Sequence, residues 1–249
     1  MTLCMHTTTS AKAGYRGALE GWAKAGIKYV ELNALVVDTF LKSDTLDGAR
    51  NVLRDNGLTA VHGTLAVGGL IVPDSPDRSA SIEALKRRLQ MFTSLGIKKG
   101  YLIAAGMQKL TLDDYKIVAD NMRSVGDVAK SFDMIVSIEF IRSSPYMSTL
   151  PTALKVTREA GHSNFGVMFD FYHFWSWLNK FEDMDQIHPG EIQHVHFQDV
   201  PDMPRELLDD TTRFIPGDGV SPINAMLRKL AEKRYSGPLS VELFLPRFQ

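Results

Sequence analysis

Apolar runs separated by amphipathic stretches recur along the whole chain, the pattern left by strands buried on both faces and by the helices that cover them. The first run, Leu3 to His6, precedes a helical stretch from Ala13 to Ala25 that stops before Gly26, a residue suited to ending a helix. Ile27 to Leu32 follows as the second strand. A polar, helix-permissive stretch from Asp38 to Asp55 closes at Asn56-Gly57, and Leu58 to His62 is the third strand. The loop from Gly63 to Arg78 is long and carries Gly68, Gly69, Pro73 and Pro76, so it is expected to shape a binding site rather than to link domains. Ser79 or Ser81 is the expected cap of the next helix, which ends at Leu95 before Gly96. Tyr101 to Ala105, Met134 to Phe140, Phe165 to Phe169, Ile192 to Phe197 and Leu239 to Leu243 supply the remaining strands. Thr111 is the expected cap of a helix within the stretch to Ser131, and another helix is expected from about Pro222 to Arg234.

Eight strands in regular alternation with helices predict an α/β chain closed as a (β/α)8 barrel, one domain over residues 1–249. An open doubly wound sheet is disfavoured because no glycine-rich dinucleotide turn follows the first strand. A chain of 249 residues with 44% hydrophobic and 23% charged positions belongs with ordinary globular proteins. Its formal charge of -1 is spread along the sequence, which argues against a nucleic-acid partner. Cys4 is the only cysteine, so no internal disulfide forms. The start resembles no secretory leader and no segment reads as a membrane span; a cytoplasmic location and no membrane partner are expected.

Candidate chemistry changes the picture most, because acidic and histidine residues recur where the apolar strands end. Glu31, His62, Glu139, Asp170, His196 and Glu242 all fall there, and in a barrel those ends converge on the ligand-binding face. A carboxylate within an apolar strand is costly unless paired or ligated, so Glu139 and Glu242 call for a partner. A single divalent cation held by Glu139, Asp170, His196 and Glu242 would supply it. That largely oxygen set suits Mn²⁺ first, with Mg²⁺, Co²⁺ and Zn²⁺ as alternatives. Glu31 is equally readable as a salt-bridge or loop-capping group, and His194 as a packed histidine or a group supporting His196. His173 is expected to face substrate, with His6 and His62 as further candidates, and Trp175 in the aromatic run as a ring that could stack on a sugar.

The order of Ala25–Leu32, Ser137–Phe140, Gly166–His173, His194–Asp199, Gly217–Gly219 and Ser240–Phe244 resembles the xylose isomerase-like TIM-barrel superfamily, over nearly the whole chain. The resemblance implies metal ligands at Glu139, Asp170, His196 and Glu242, with Glu139 and Glu242 as the acid/base pair. It implies a substrate-facing His173 and a keto-sugar or keto-cyclitol converted by proton abstraction next to its carbonyl, through a metal-stabilised enediolate. Isomerisation, epimerisation and dehydration share that first step. Metal-assisted hydrolysis of a glycoside, or a non-catalytic sugar-binding or assembly role, are the alternatives. The arginine usual after the strand-seven histidine is missing from its place; Arg205 is the nearest basic residue and the expected substitute. The superfamily's three-zinc endonucleases need further histidines that this chain does not carry. The partner implied is a small polyhydroxylated carbonyl compound, with a homo-oligomer or partner subunit possible.

Overall fold

A computed structural model of the chain describes residues 1–106 and 108–246; the rest of the expected 1–249 domain lies outside the described residues. Its strands are β1 (Thr2–His6), β2 (Tyr29–Asn33), β3 (Thr59–Thr64), β4 (Lys99–Ile103), β5 (Ile135–Glu139), β6 (Phe165–Asp170), β7 (Ile192–His196) and β8 (Pro238–Val241). Each pairs in parallel with the next, and β8 pairs with β1 to close the barrel. Among the described residues, closure leaves the barrel sheet no free edge.

The helices are α1 (Gly14–Lys24), α2 (Ala34–Leu41), α3 (Leu46–Asp55), α4 (Arg78–Ser94), α5 (Leu112–Ser131), α6 (Leu150–Ala160), α7 (Phe171–Trp175) and α8 (Ile223–Glu232). The polar, helix-permissive stretch from Asp38 to Asp55 is divided between two helices. Thr45 breaks it, taking extended backbone and accepting the amide of Gly48 as the cap of α3. Asp38 instead ends in α2, where it pairs with both terminal nitrogens of Arg88 at 2.5 and 2.6 Å. At α4 the cap is Asp77, without a side-chain bond, rather than Ser79 or Ser81. Thr111 does cap α5, exchanging bonds with Asp114 in a capping box. β4 begins two residues earlier than expected, because Lys99 and Gly100 already pair with Ile135 and Val136 of β5; the Lys99 side chain donates to Gln193.

The core is continuous from barrel interior to helix layer. Val30, Val136, Ile138, Val167, Phe169 and Val195 are buried on the strands, and Leu85, Leu89 and Phe92 are buried at helical spacing on α4. Phe92 lies so close to β3 that a Cβ on Gly63 would stand 2.5 Å from its ring. Glycine there lets the helix seat directly on the strand. Among the described residues no helix is long and apolar enough to cross a membrane.

Register sets the active face. Glu31 stands opposite His6 on one side and His62 on the other, and Asp170 stands opposite His196. The register slips between Val30 and Glu31 and again between Val167 and Met168. Each slip skips one residue on the neighbouring strand and re-aims those that follow.

Candidate active site

Glu139, Asp170, His196 and Glu242 come from the ends of four different strands, and one donor atom of each lies within 4.8 Å of the other three. Nδ1 of His196 is at their centre, 3.4 Å from Glu139, 3.5 Å from Asp170 and 3.1 Å from Glu242. Its Nε2 faces Glu31 at 3.2 Å, so Nε2 donates to Glu31 and Nδ1 is presented to the carboxylates. All four side chains are buried, and Oε1 of Glu139 and Nδ1 of His196 have no hydrogen-bond partner. Buried, unpartnered, electron-rich atoms converging on one point fit a divalent cation.

The electrostatics agree. Burial lowers the basicity of His196, but Glu242 and Glu31 outweigh it and hold its pKa well above the usual value; the carboxylates demand a positive charge, whether a proton or a metal ion. Burial pushes the Glu139 carboxyl up. It acts on Glu242 in the same direction, but His196 and Arg213 reverse it and hold that carboxyl down. Asp170 is likewise driven up by burial and brought well below the carboxylate range by His173 and Arg213.

Arg213 is the arginine of this site. Its guanidinium is buried, donates to Glu242 at 2.6 Å and to Asp170 at 3.4 Å, and lies 3.2 Å from Nε2 of His173. The rings of Tyr172 and Phe244 cover it at 5.2 and 4.8 Å. Arg205, the expected substitute, is exposed, and its side chain turns to the carbonyl of Trp177 instead. Arg213 arrives by way of Asp199, which exchanges both backbone bonds with Phe214 at 2.9 Å. The Asp199 carboxylate accepts the amides of Val200, Gly217, Gly219 and Ser221. A Cβ on Gly219 would meet the carbonyl of Val200 at 2.3 Å, which is why the turn after Gly217 needs a glycine there.

The other expected residues divide. His173 is buried beside Arg213, and its amide donates to Asp170 at 2.7 Å. His6 is on the same face, with Nδ1 3.5 Å from Glu242 and accepting the amide of Thr8; Nε2 therefore carries the hydrogen and donates to Thr64 at 2.8 Å. His62 stacks on His194 one layer deeper. Trp175 packs against Tyr172, Val200 and Leu208, in the wall rather than across the site. Glu31 caps no loop: it is enclosed by His6, His62, His194 and His196. Gln198, which donates to Asp170 at 2.7 Å, was not signalled by any pattern.

The profile of the xylose isomerase-like TIM barrel family matches residues 19–247. The inosose isomerase of Halalkalibacterium halodurans is 27% identical, covering 100% of this chain and 89% of that protein; that of Bacillus subtilis strain 168 is 25% identical, covering 100% and 91%. The 3-dehydroshikimate dehydratase of Pseudomonas putida is 23% identical over 68% of this chain and 27% of that protein. Among solved structures, a crystal structure of IOLI protein with a binding zinc atom superposes with a TM-score of 0.89 at 23% identity, over 100% of this chain and 91% of that one. D-allulose 3-epimerase from Methylomonas sp. follows the same fold, with a TM-score of 0.76 at 18% identity over 98% and 85%.

Proposed function

The chain belongs to the xylose isomerase-like TIM-barrel family, and from that premise we propose that it is a divalent-metal-dependent isomerase of a keto-cyclitol of the inosose type. The observation that carries this is the convergence of Glu139, Asp170, His196 and Glu242 on one point at the strand ends. The inosose isomerases matched over the full chain supply the substrate class. Three carboxylates to one imidazole favour Mn²⁺, although a zinc atom is named in a structure of the same fold.

Glu139, Asp170, His196 and Glu242 would hold a divalent ion, which would supply Lewis-acid polarisation of a carbonyl and stabilise the negative charge developing beside it. Glu139 and Glu242 approach that point from strands across the barrel and exchange the proton. One carboxylate takes the proton from the carbon next to the carbonyl. For isomerisation the other delivers a proton to the former carbonyl carbon while the adjacent hydroxyl proton passes to the former carbonyl oxygen; for epimerisation it delivers a proton to the opposite face of the same carbon. Arg213 keeps Glu242 ionised between transfers, at 2.6 Å. His173, held by its amide to Asp170, orients substrate hydroxyls beside Arg213. Tyr172 and Phe244 shield the guanidinium from water.

The test is proton NMR of an inosose incubated with the Mn²⁺-loaded protein in deuterium oxide. Deuterium entering next to the carbonyl, with a new ketone appearing and both lost in E139Q, is the expected result. No exchange by protein that carries the metal would overturn the reading. The match to 3-dehydroshikimate dehydratases favours a second outcome, in which a β-hydroxyl departs as water and leaves a conjugated enone; ultraviolet absorbance separates the two.

A further inference from the structure

Beside Glu139 the mouth of the barrel carries an apolar hollow that the proposed reaction does not use. Tyr101 on β4 faces the barrel interior, its ring centroid 5.3 Å from that of His196. Side chains two apart on a strand share a face, so Ile103, the last residue of β4, points the same way one step nearer the mouth. Ile103 stands in register with Glu139 on β5. Paired residues of neighbouring strands present their side chains to the same face of the sheet. An isoleucine is therefore the immediate neighbour of a carboxylate assigned to move the proton, and it is 41% exposed, where a core position would bury it.

The hollow lies between Ile103 and the loop 66–72, with Ala105 and Tyr146 among its walls, and has a volume of 180 Å³. Among the described residues that line it none is charged. An apolar cavity of about 150 Å³ is enough to hold a benzene ring, so the space suffices for a group of that size. The loop that forms one wall is fixed from behind. Arg78 donates to the carbonyl of Leu70 at 3.2 Å, and Asn121 donates to the carbonyls of Ile71 and Val72 at 3.2 and 3.5 Å. Gly69 turns with φ 70°, and a Cβ there would stand 2.7 Å from the hydroxyl of Ser75. Ala66 holds φ 51°, a conformation that a residue with a Cβ keeps only where its surroundings impose it. A wall held this way is ready before anything binds, which lowers the cost of binding.

We propose that this hollow is a substrate subsite, and that the compound processed carries an uncharged apolar group of about the size of a benzene ring, attached to its keto ring on the Glu139 side. The inference rests on the reading that Glu139 works on a ring ketone. A plain inosose bears oxygen on every ring carbon, so no part of it gains from apolar walls, and a hydroxyl placed against them gives up water without a partner. A phosphate or carboxylate finds no cation there among the described lining residues. An apolar ring removes its own surface and that of Ile103 and Val67 from water together. These two side chains then select the substrate, while the strand-end carboxylates carry out the chemistry.

Methyl and phenyl 3-keto-β-D-glucopyranosides test this, since they share a keto ring and differ only in the apolar group. Calorimetry on the Mn²⁺-loaded full-length protein gives a Kd for each, and deuterium exchange next to the carbonyl gives kcat and KM. The phenyl compound should bind about tenfold more tightly or better, the discrimination an apolar pocket gives for added hydrocarbon, and the difference should appear in KM. I103N should bring the phenyl-to-methyl ratio close to one; V67N, in the loop, gives the same readout where I103N fails to fold. Equal Kd values in wild type, with exchange intact, would overturn the subsite and leave the reaction standing. A phenyl preference that survives both substitutions would put the apolar group elsewhere and overturn the subsite as well. Tighter phenyl binding that I103N or V67N abolishes, without exchange of either glycoside or of an inosose, would keep the subsite and sink the reaction. If neither glycoside binds, the subsite is wrong, and exchange of the inosose decides the reaction alone.

Discussion

Arg213 lies between two carboxylates that burial alone would protonate. Replacing it with alanine leaves Asp170 and Glu242 buried beside no guanidinium, and loss of one partner from such a cluster costs about 3–5 kcal/mol. R213A should therefore unfold at lower denaturant as well as lose turnover, as equilibrium denaturation and an exchange assay would show. If it unfolds at the wild-type midpoint, the ion pairs do not hold the site. His173 behaves differently, because the bond to Asp170 comes from its backbone amide and survives substitution. H173A should keep its metal content and lose about tenfold in turnover, the worth of one hydrogen bond to a group carrying charge. E139Q and E242Q should each lose about 10² to 10⁴ in rate. Glu139 and Glu242 were legible in the sequence because a carboxylate in an apolar strand stands out. Arg213 was not, since it sits in an irregular loop where no periodicity says which way a side chain points, and Arg205 was the nearer guess. Glu31 is also a strand-end carboxylate, but its imidazole neighbours come from three other strands, and only the register brings them to it.

At the scale of elements, strand order followed from alternation, whereas strand ends and helix breaks depended on single polar residues. The one-residue slips that bring His62 and His194 inward leave no trace in a hydrophobic pattern, because a skipped residue on a strand keeps the same composition. The cap of α5 was legible because Thr111 stands just before the helical stretch, whereas its exchange of bonds with Asp114 came only with the structure. T111A should cost about 1 kcal/mol, read as a lower denaturation midpoint with activity unchanged. The loop after β7 depends on one carboxylate. D199A removes the acceptor of four amides, so it should speed hydrogen exchange at 214–221 and depress turnover by releasing Arg213. Protection unchanged from wild type would show that the backbone pairing with Phe214 suffices.

For the whole molecule, closing eight strands into a barrel places the ends of β5, β6, β7 and β8 around one point, so the proposed metal ligands come from segments far apart in sequence. An ion bound there stabilises only the folded chain. At a hundredfold excess over its dissociation constant it adds about 2.7 kcal/mol. In a protein of this size that corresponds to a Tm roughly 5–10 °C higher than after chelation, and an equal Tm with and without chelator would contradict the cluster's role. The Asp199 clamp has a further consequence for how such a protein changes through descent. Asp199 fixes both the exit from β7 and the return through Phe214 and Gly219, while the hydroxyl of Tyr172 holds the carbonyl of Asp209. The exposed stretch 202–207 lies between these anchors and outside their bonds, so a change in its length or sequence would alter what surrounds the site while leaving the arginine in place.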